Sequence, residues 1–227
     1  MKKPNLSDLN DKERENYVER LKDVIEHGFY MNKGKKEIWD HKKGKFSMSA
    51  TRICFTEIKL SLARKHAERY GLLGIGVDRN FVLERYGNPV FYQYNGKFNC
   101  IAEQLRLLGN YLKSRDKEEK RNGDSWLKKL EVILAYCKNM NDQNKENLVY
   151  YDELEWRIVS LNILEIEKKT KRDEKDNSVF RVILKLEDIR VIVFPDKETR
   201  DIALSDEFIW NRSKHWIITM LDDCEHF

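Results

Sequence analysis

Residues 50–94 limit the possible folds most tightly, because they alternate strand, helix, strand, helix, strand with a stop signal at nearly every junction. The run SATRICFTEI reads as a short strand through Ile53 and Phe55. Ser61 stands where an N-cap belongs, and LARKHAERYG closes at Gly71. LLGIGV is a short apolar strand. Asp78 caps RNFVLERYG, Gly87 ends it, and Asn88-Pro89 punctuates the chain before the aromatic strand PVFYQY.

The flanks add further elements. Residues 13–28, ERENYVERLKDVIEHG, carry Tyr17, Leu21, Val24 and Ile25 at helical spacing, with Gly28 as a C-terminal stop. The lysine-rich GFYMNKGKKEIWDHKKGK that follows predicts a loop. Residues 98–140 predict a helical hairpin, FNCIAEQLRLLGNYLKSR and SWLKKLEVILAYCKNM, with Ser125 as a cap and DKEEKRNGD as the charged turn. EWRIVSLNILEI and VFRVILKL read as two strands joined by EKKTKRDEKDNS, and IRVIVF as a third. Pro195 and Asp196 open a short helix through KETRDIAL, and HWIITMLDDCEHF reads as a strand and a helical turn. No repeat of solenoid period is present. The expected class is α+β, with a mixed, largely antiparallel sheet and flanking helices. The expected organisation is a single domain over 1–227, with 98–140 as a helical-hairpin insert.

Composition supports a folded chain: 41% of the 227 residues are apolar and 11% aromatic. Charged residues reach 36%, but 43 basic against 39 acidic leaves only +4, weak support for a nucleic-acid partner. Cys54, Cys100, Cys137 and Cys224 form no C-x-x-C pair. The opening MKKPNLSDLNDKEREN holds no signal-type apolar stretch, and no apolar run approaches the roughly 20 residues of a membrane span. The expectation is a cytoplasmic protein with reduced thiols, no membrane partner and no metal.

Three places invite a chemical reading, each beside a plainer one. GLLGIGVDRN has the glycines of a phosphate loop without the spacing, since Arg79 stands where the third glycine belongs; close packing in a buried strand explains Gly74 and Gly76 as well. His66 lies four residues before Tyr70 and shares its helix face, which suits a general acid or base, or a satisfied helix histidine. In YYDELEWRIV, an extended backbone puts Glu153, Glu155 and Arg157 on one face and Leu154, Trp156 and Ile158 on the other. Carboxylates about 7 Å apart raise one another's pKa, and Arg157 relieves the repulsion. The charged row reads as a solvated strand edge or as a paired functional site.

Taken in order, the helix ending in HGF, the block RICFTEIKLSLARKHAERYGLLGIGVDRNFVLERYGNPVFYQ, then YDELEWRIV and IRVIVF resemble the AbiGi family of abortive phage-resistance proteins. The resemblance covers about two thirds of the chain and leaves the helical hairpin and the charged hairpin loop unexplained. It implies a role in bacterial phage defence within a toxin–antitoxin-like module, with a partner toxin or phage protein. The chain is more remotely similar to ADP-ribosyltransferases. That similarity implies an NAD-binding cleft, with Glu155 as the catalytic carboxylate, Glu153 as its helper, and His66, Tyr70 and Arg157 shaping the cleft. The strand bearing a His-Phe pair that often opens such relatives is missing here, so His41 or His66 would have to replace its histidine. The alternative is a non-enzymatic antitoxin or sensor that contacts its partner through the lysine-rich segment 33–45 and the helical hairpin. A third reading is an RNA-binding module in which Trp39 and Phe46 stack on bases.

Overall fold

The computed structural model describes residues 9–33, 37–41, 44–48, 50–93, 100–119, 126–139 and 154–226, with backbone alone for 37–41, 44–48, 100–102, 113–119, 126–128 and 139. In chain order the elements are α1 (Asp11–His27), β1 (Phe29–Lys33), β2 (Glu37–His41), β3 (Gly44–Met48), β4 (Thr51–Thr56), α2 (Ala63–Tyr70), β5 (Gly74–Val77) and α3 (Arg79–Leu83). Then come β6 (Asn88–Pro89), β7 (Phe91–Gln93), α4 (Cys100–Glu119), α5 (Trp126–Ala135), β8 (Cys137–Asn139) and β9 (Glu155–Val159). The last are α6 (Asn162–Ile166), β10 (Thr170–Arg172), β11 (Phe180–Val182), β12 (Ile189–Phe194), α7 (Lys197–Ser205), α8 (Glu207–Arg212) and β13 (Ile217–Met220). The class is α+β. β1 with β4, β10 with β11, β12 with β5, β2 with β3, β4 with β9 and β6 with β9 are antiparallel pairs, and β12 with β13 and β7 with β8 are parallel. The residues divide into two compact units.

The first unit comprises Met1–Tyr30, Ile58–Arg85 and Ile163–Phe227. Its centre is β12, between parallel β13 and antiparallel β5. The alternation of IRVIVF decides both faces. Ile192 and Phe194 pack with Val18, Leu21 and Ile25 of α1 and Ala203 of α7, while Val191 and Val193 pack with Ala67, Leu72 and Leu221. A strand buried on both faces has to be apolar throughout, and this one is broken only by Arg190. β5 approaches closely enough that a Cβ on Gly76 would stand 2.4 Å from Cγ1 of Val191. Close packing therefore explains the glycine pair. α1 starts with a reciprocal cap: the Asn10 side chain accepts from the Glu13 N–H, and the Glu13 carboxylate accepts from the Asn10 N–H. It stops at Gly28, whose φ of 88° suits glycine and whose Cβ, if present, would meet the Val182 carbonyl oxygen at 2.2 Å.

A buried arginine ties the β10–β11 hairpin of this unit to α1. Arg181 donates to the carboxylates of Asp173 and Asp23 and to the Gly28 carbonyl, and its guanidinium lies 3.5 Å above the Tyr30 ring. Asp173 also accepts from the N–H groups of Lys175 and Asp176 and so closes the hairpin turn.

The second unit comprises Met31–Glu57 and Tyr86–Asn162. Its sheet runs from the end of β1 through β4 and β9 to β6. β7 and β8 pair in parallel. Parallel neighbours need a crossover, and α4 with α5 supplies it. The two helices pack through Leu105 and Leu112 against Leu130 and Leu134.

Several expectations need correction. Within the lysine-rich segment, 29–33, 37–41 and 44–48 are strands, and β2 pairs with β3 in a hairpin. NILEI is a helical turn. The expected pairing of EWRIV with VFRV gives way to β10 against β11, with β10 inside the stretch read as loop. The second helical arm ends at Ala135, after which Cys137–Asn139 is strand. Ser61 lies inside a short 3-10 turn over Leu60–Leu62, and no side chain caps α2. Ser125 lies outside the described residues. The alternation over 50–94 is locally right, but its strands are shared out: β4 and β7 belong to the second unit and β5 to the first.

Candidate functional site

β9 is an interior strand, flanked by β4 on one side and β6 on the other. This corrects the reading of Glu155 and Arg157 as a solvated strand edge. Neighbours on both sides pair the strand's edges, and the face that carries Glu155 and Arg157 is also covered, so a carboxylate there needs a partner. Glu155 is 7% exposed and Arg157 2%. Arg157 Nε donates to Glu155 Oε1 at 2.7 Å, and Lys138 Nζ on β8 donates to Oε2 at 2.7 Å. Each carboxylate oxygen thus holds one cation.

The rest of the arginine is spent on main chain. Its Nη1 donates to the carbonyls of Ala135 at 2.6 Å and Cys137 at 3.1 Å, where α5 ends. Those carbonyls have no helical partner, and a cation at a helix C-terminus satisfies them with favourable dipole sign. On the other side, the Glu155 N–H donates to the Tyr92 hydroxyl on β7 at 3.2 Å. The cluster therefore fastens β7, the end of α5 and β8 onto β9.

Electrostatics follow from this geometry. Burial pushes the Glu155 carboxyl up, but the Arg157 and Lys138 charges and the Arg157 hydrogen bond together outweigh it and leave the pKa at about 2. Cys54, the register partner of Arg157 on β4, lies beside the same carboxylate. Its residue surface is exposed, yet crowding around the thiol, and then the Glu155 charge, push it up to about 11. The thiol stays protonated at neutral pH and is a poor nucleophile.

The structure brings together two pairs of the residues singled out from sequence. Glu155 and Arg157 meet in the second unit. His66 and Tyr70 meet in the first, on α2, with ring centroids 4.5 Å apart and the Arg69 guanidinium 5.4 Å from the Tyr70 ring. Glu153 lies outside the described residues, as do the side chains of His41, Trp39 and Phe46. Lys138, Tyr92 and Cys54 were missed. Only the pairing of β7, β8 and β4 brings them to Glu155, and no local spacing announces it. Among the described residues no group of three or more His, Cys, Asp or Glu side chains is arranged to hold a metal ion.

A second feature of this unit is the outer face of α4. Among its residues 103–112, those exposed are Gln104, Leu107, Leu108, Asn110 and Tyr111, and none is charged. Leu107 is 47% exposed, Leu108 44% and Tyr111 56%. At positions i, i+1 and i+4 they form one apolar stripe.

A family model described as "Putative abortive phage resistance protein AbiGi, antitoxin" matches residues 18–195. The chain belongs to the AbiGi family. No curated protein and no solved structure matches it. A likeness to ADP-ribosyltransferases is not shown by these comparisons. The AbiGi match runs from within α1 to the end of β12, and with them takes in both the Glu155 cluster and the α4 stripe. The family's description assigns it to abortive phage resistance on the antitoxin side. No helix among the described residues is long and apolar enough to cross a membrane.

Proposed function

We propose that this AbiGi-family chain is the antitoxin of a bacterial phage-defence module and acts by binding a partner toxin through the outer face of α4. The carrying observation is the stripe of Leu107, Leu108 and Tyr111, whose exposed company among residues 103–112 is the neutral pair Gln104 and Asn110, on a chain of which 36% is charged. Isolated exposed leucines are ordinary, but adjacent exposed apolar side chains on one helix face suit a protein contact. The partner such a face fits is a protein with a complementary apolar groove that takes a helix by its side.

The transferase alternative keeps NAD as cofactor, Glu155 as the catalytic carboxylate and Glu153 as its helper, with His66, Tyr70 and Arg157 shaping the cleft. It requires Glu155 to exchange Lys138 and Arg157 for a ribose hydroxyl. The double occupation of that carboxylate favours the binding reading.

One experiment addresses both. The chain is co-expressed with the product of the neighbouring gene, and the two are tested for co-purification and for rescue of growth. Binding and rescue are expected, with Leu107→Glu/Leu108→Glu losing both while the melting temperature holds. Co-purification unaffected by that double substitution sinks the α4 reading. In a parallel arm, purified chain is incubated with NAD. Nicotinamide release that disappears in a folded Glu155→Gln variant would establish the transferase instead.

A further inference from the structure

No further inference is drawn: the strongest candidate, the buried Gln93 amide at the end of β7 whose two polar side-chain atoms lack hydrogen-bond partners, borders residues 94–99, which lie outside the described structure, and nothing shows what group would pair with it.

Discussion

Two buried arginines, Arg157 in the second unit and Arg181 in the first, pair with carboxylates in opposite ways. In the second unit a single carboxylate, Glu155, accepts from two cations, Arg157 and Lys138. In the first, a single guanidinium, Arg181, donates to two carboxylates, Asp173 and Asp23. Both arginines also donate to main-chain carbonyls, so both fasten elements together rather than merely pairing charge. The difference lies in the partners' access to water. Glu155 and Asp173 are buried, but the Asp23 side chain is 31% exposed and stays partly hydrated without Arg181. A buried ion pair adds little over a well-packed apolar pair, yet breaking it is costly because one charge is stranded. The cost should therefore follow how dry the stranded partner is.

The largest effect is expected from Arg157→Met. It leaves Glu155 inside with one cation fewer and frees the Ala135 and Cys137 carbonyls, for a loss of about 4 kcal/mol in urea unfolding. A loss under about 1 kcal/mol would remove the reason for treating the cluster as a fastening. Next is acid. The folded pKa of Glu155 is depressed to about 2 from an ordinary 4.5, so its contribution is complete above pH 4.5 and disappears as pH falls through 2. By linkage this is worth about 3 kcal/mol. Stability measured from pH 6 down to 2 should decline steeply in the wild type and more shallowly in Glu155→Gln. Parallel curves would show that other carboxylates dominate.

Arg181→Met comes third, at about 2 kcal/mol, because Asp23 can rehydrate and Asp173, though as buried as Glu155, keeps the N–H donors of Lys175 and Asp176. Equal losses for the two arginine variants would break the proposed dependence on access to water. The smallest stability effect belongs to Leu107→Glu/Leu108→Glu, within about 0.5 kcal/mol, since both side chains are already largely in solvent. Any large fall in melting temperature there would mean that the stripe packs inside the protein and is no contact surface.

α1 and α4 extend the contrast to surfaces. On α1 the exposed residues are Asp11, Lys12, Glu15, Asn16, Glu19, Arg20 and Glu26, all but one charged. Among residues 103–112 of α4 no exposed residue is charged. Both helices were legible from apolar periodicity, but periodicity finds only the face a helix buries. Whether the remaining apolar residues of α4 are covered depends on what packs around it, and no spacing rule contains that.

The same limit separates the elements that local pattern specifies from those it does not. IRVIVF, the helix after Asp196 and the stop at Gly28 rest on local patterns, and they stand where the sequence put them. EWRIV and VFRV are not paired because strand partners are chosen across the chain: VFRV pairs with β10 across the turn that Asp173 closes. In the lysine-rich segment charge argues for a loop, yet the β-formers Ile38, Trp39 and Phe46 stand within β2 and β3.

The sequence by itself determined the longer helices, many of the strands and the membership of a phage-resistance family, because caps, apolar periods and motif order are properties of neighbouring residues. It also placed Glu155 and Arg157 on one face of a strand. Tertiary structure alone decided that this face is interior, with Lys138 and Tyr92 arriving from β8 and β7. That decision turned an apparent wet row of charge into a closed, saturated cluster. An i, i+2 pattern specifies which side chains point the same way, but only the packing of distant strands specifies what they point at.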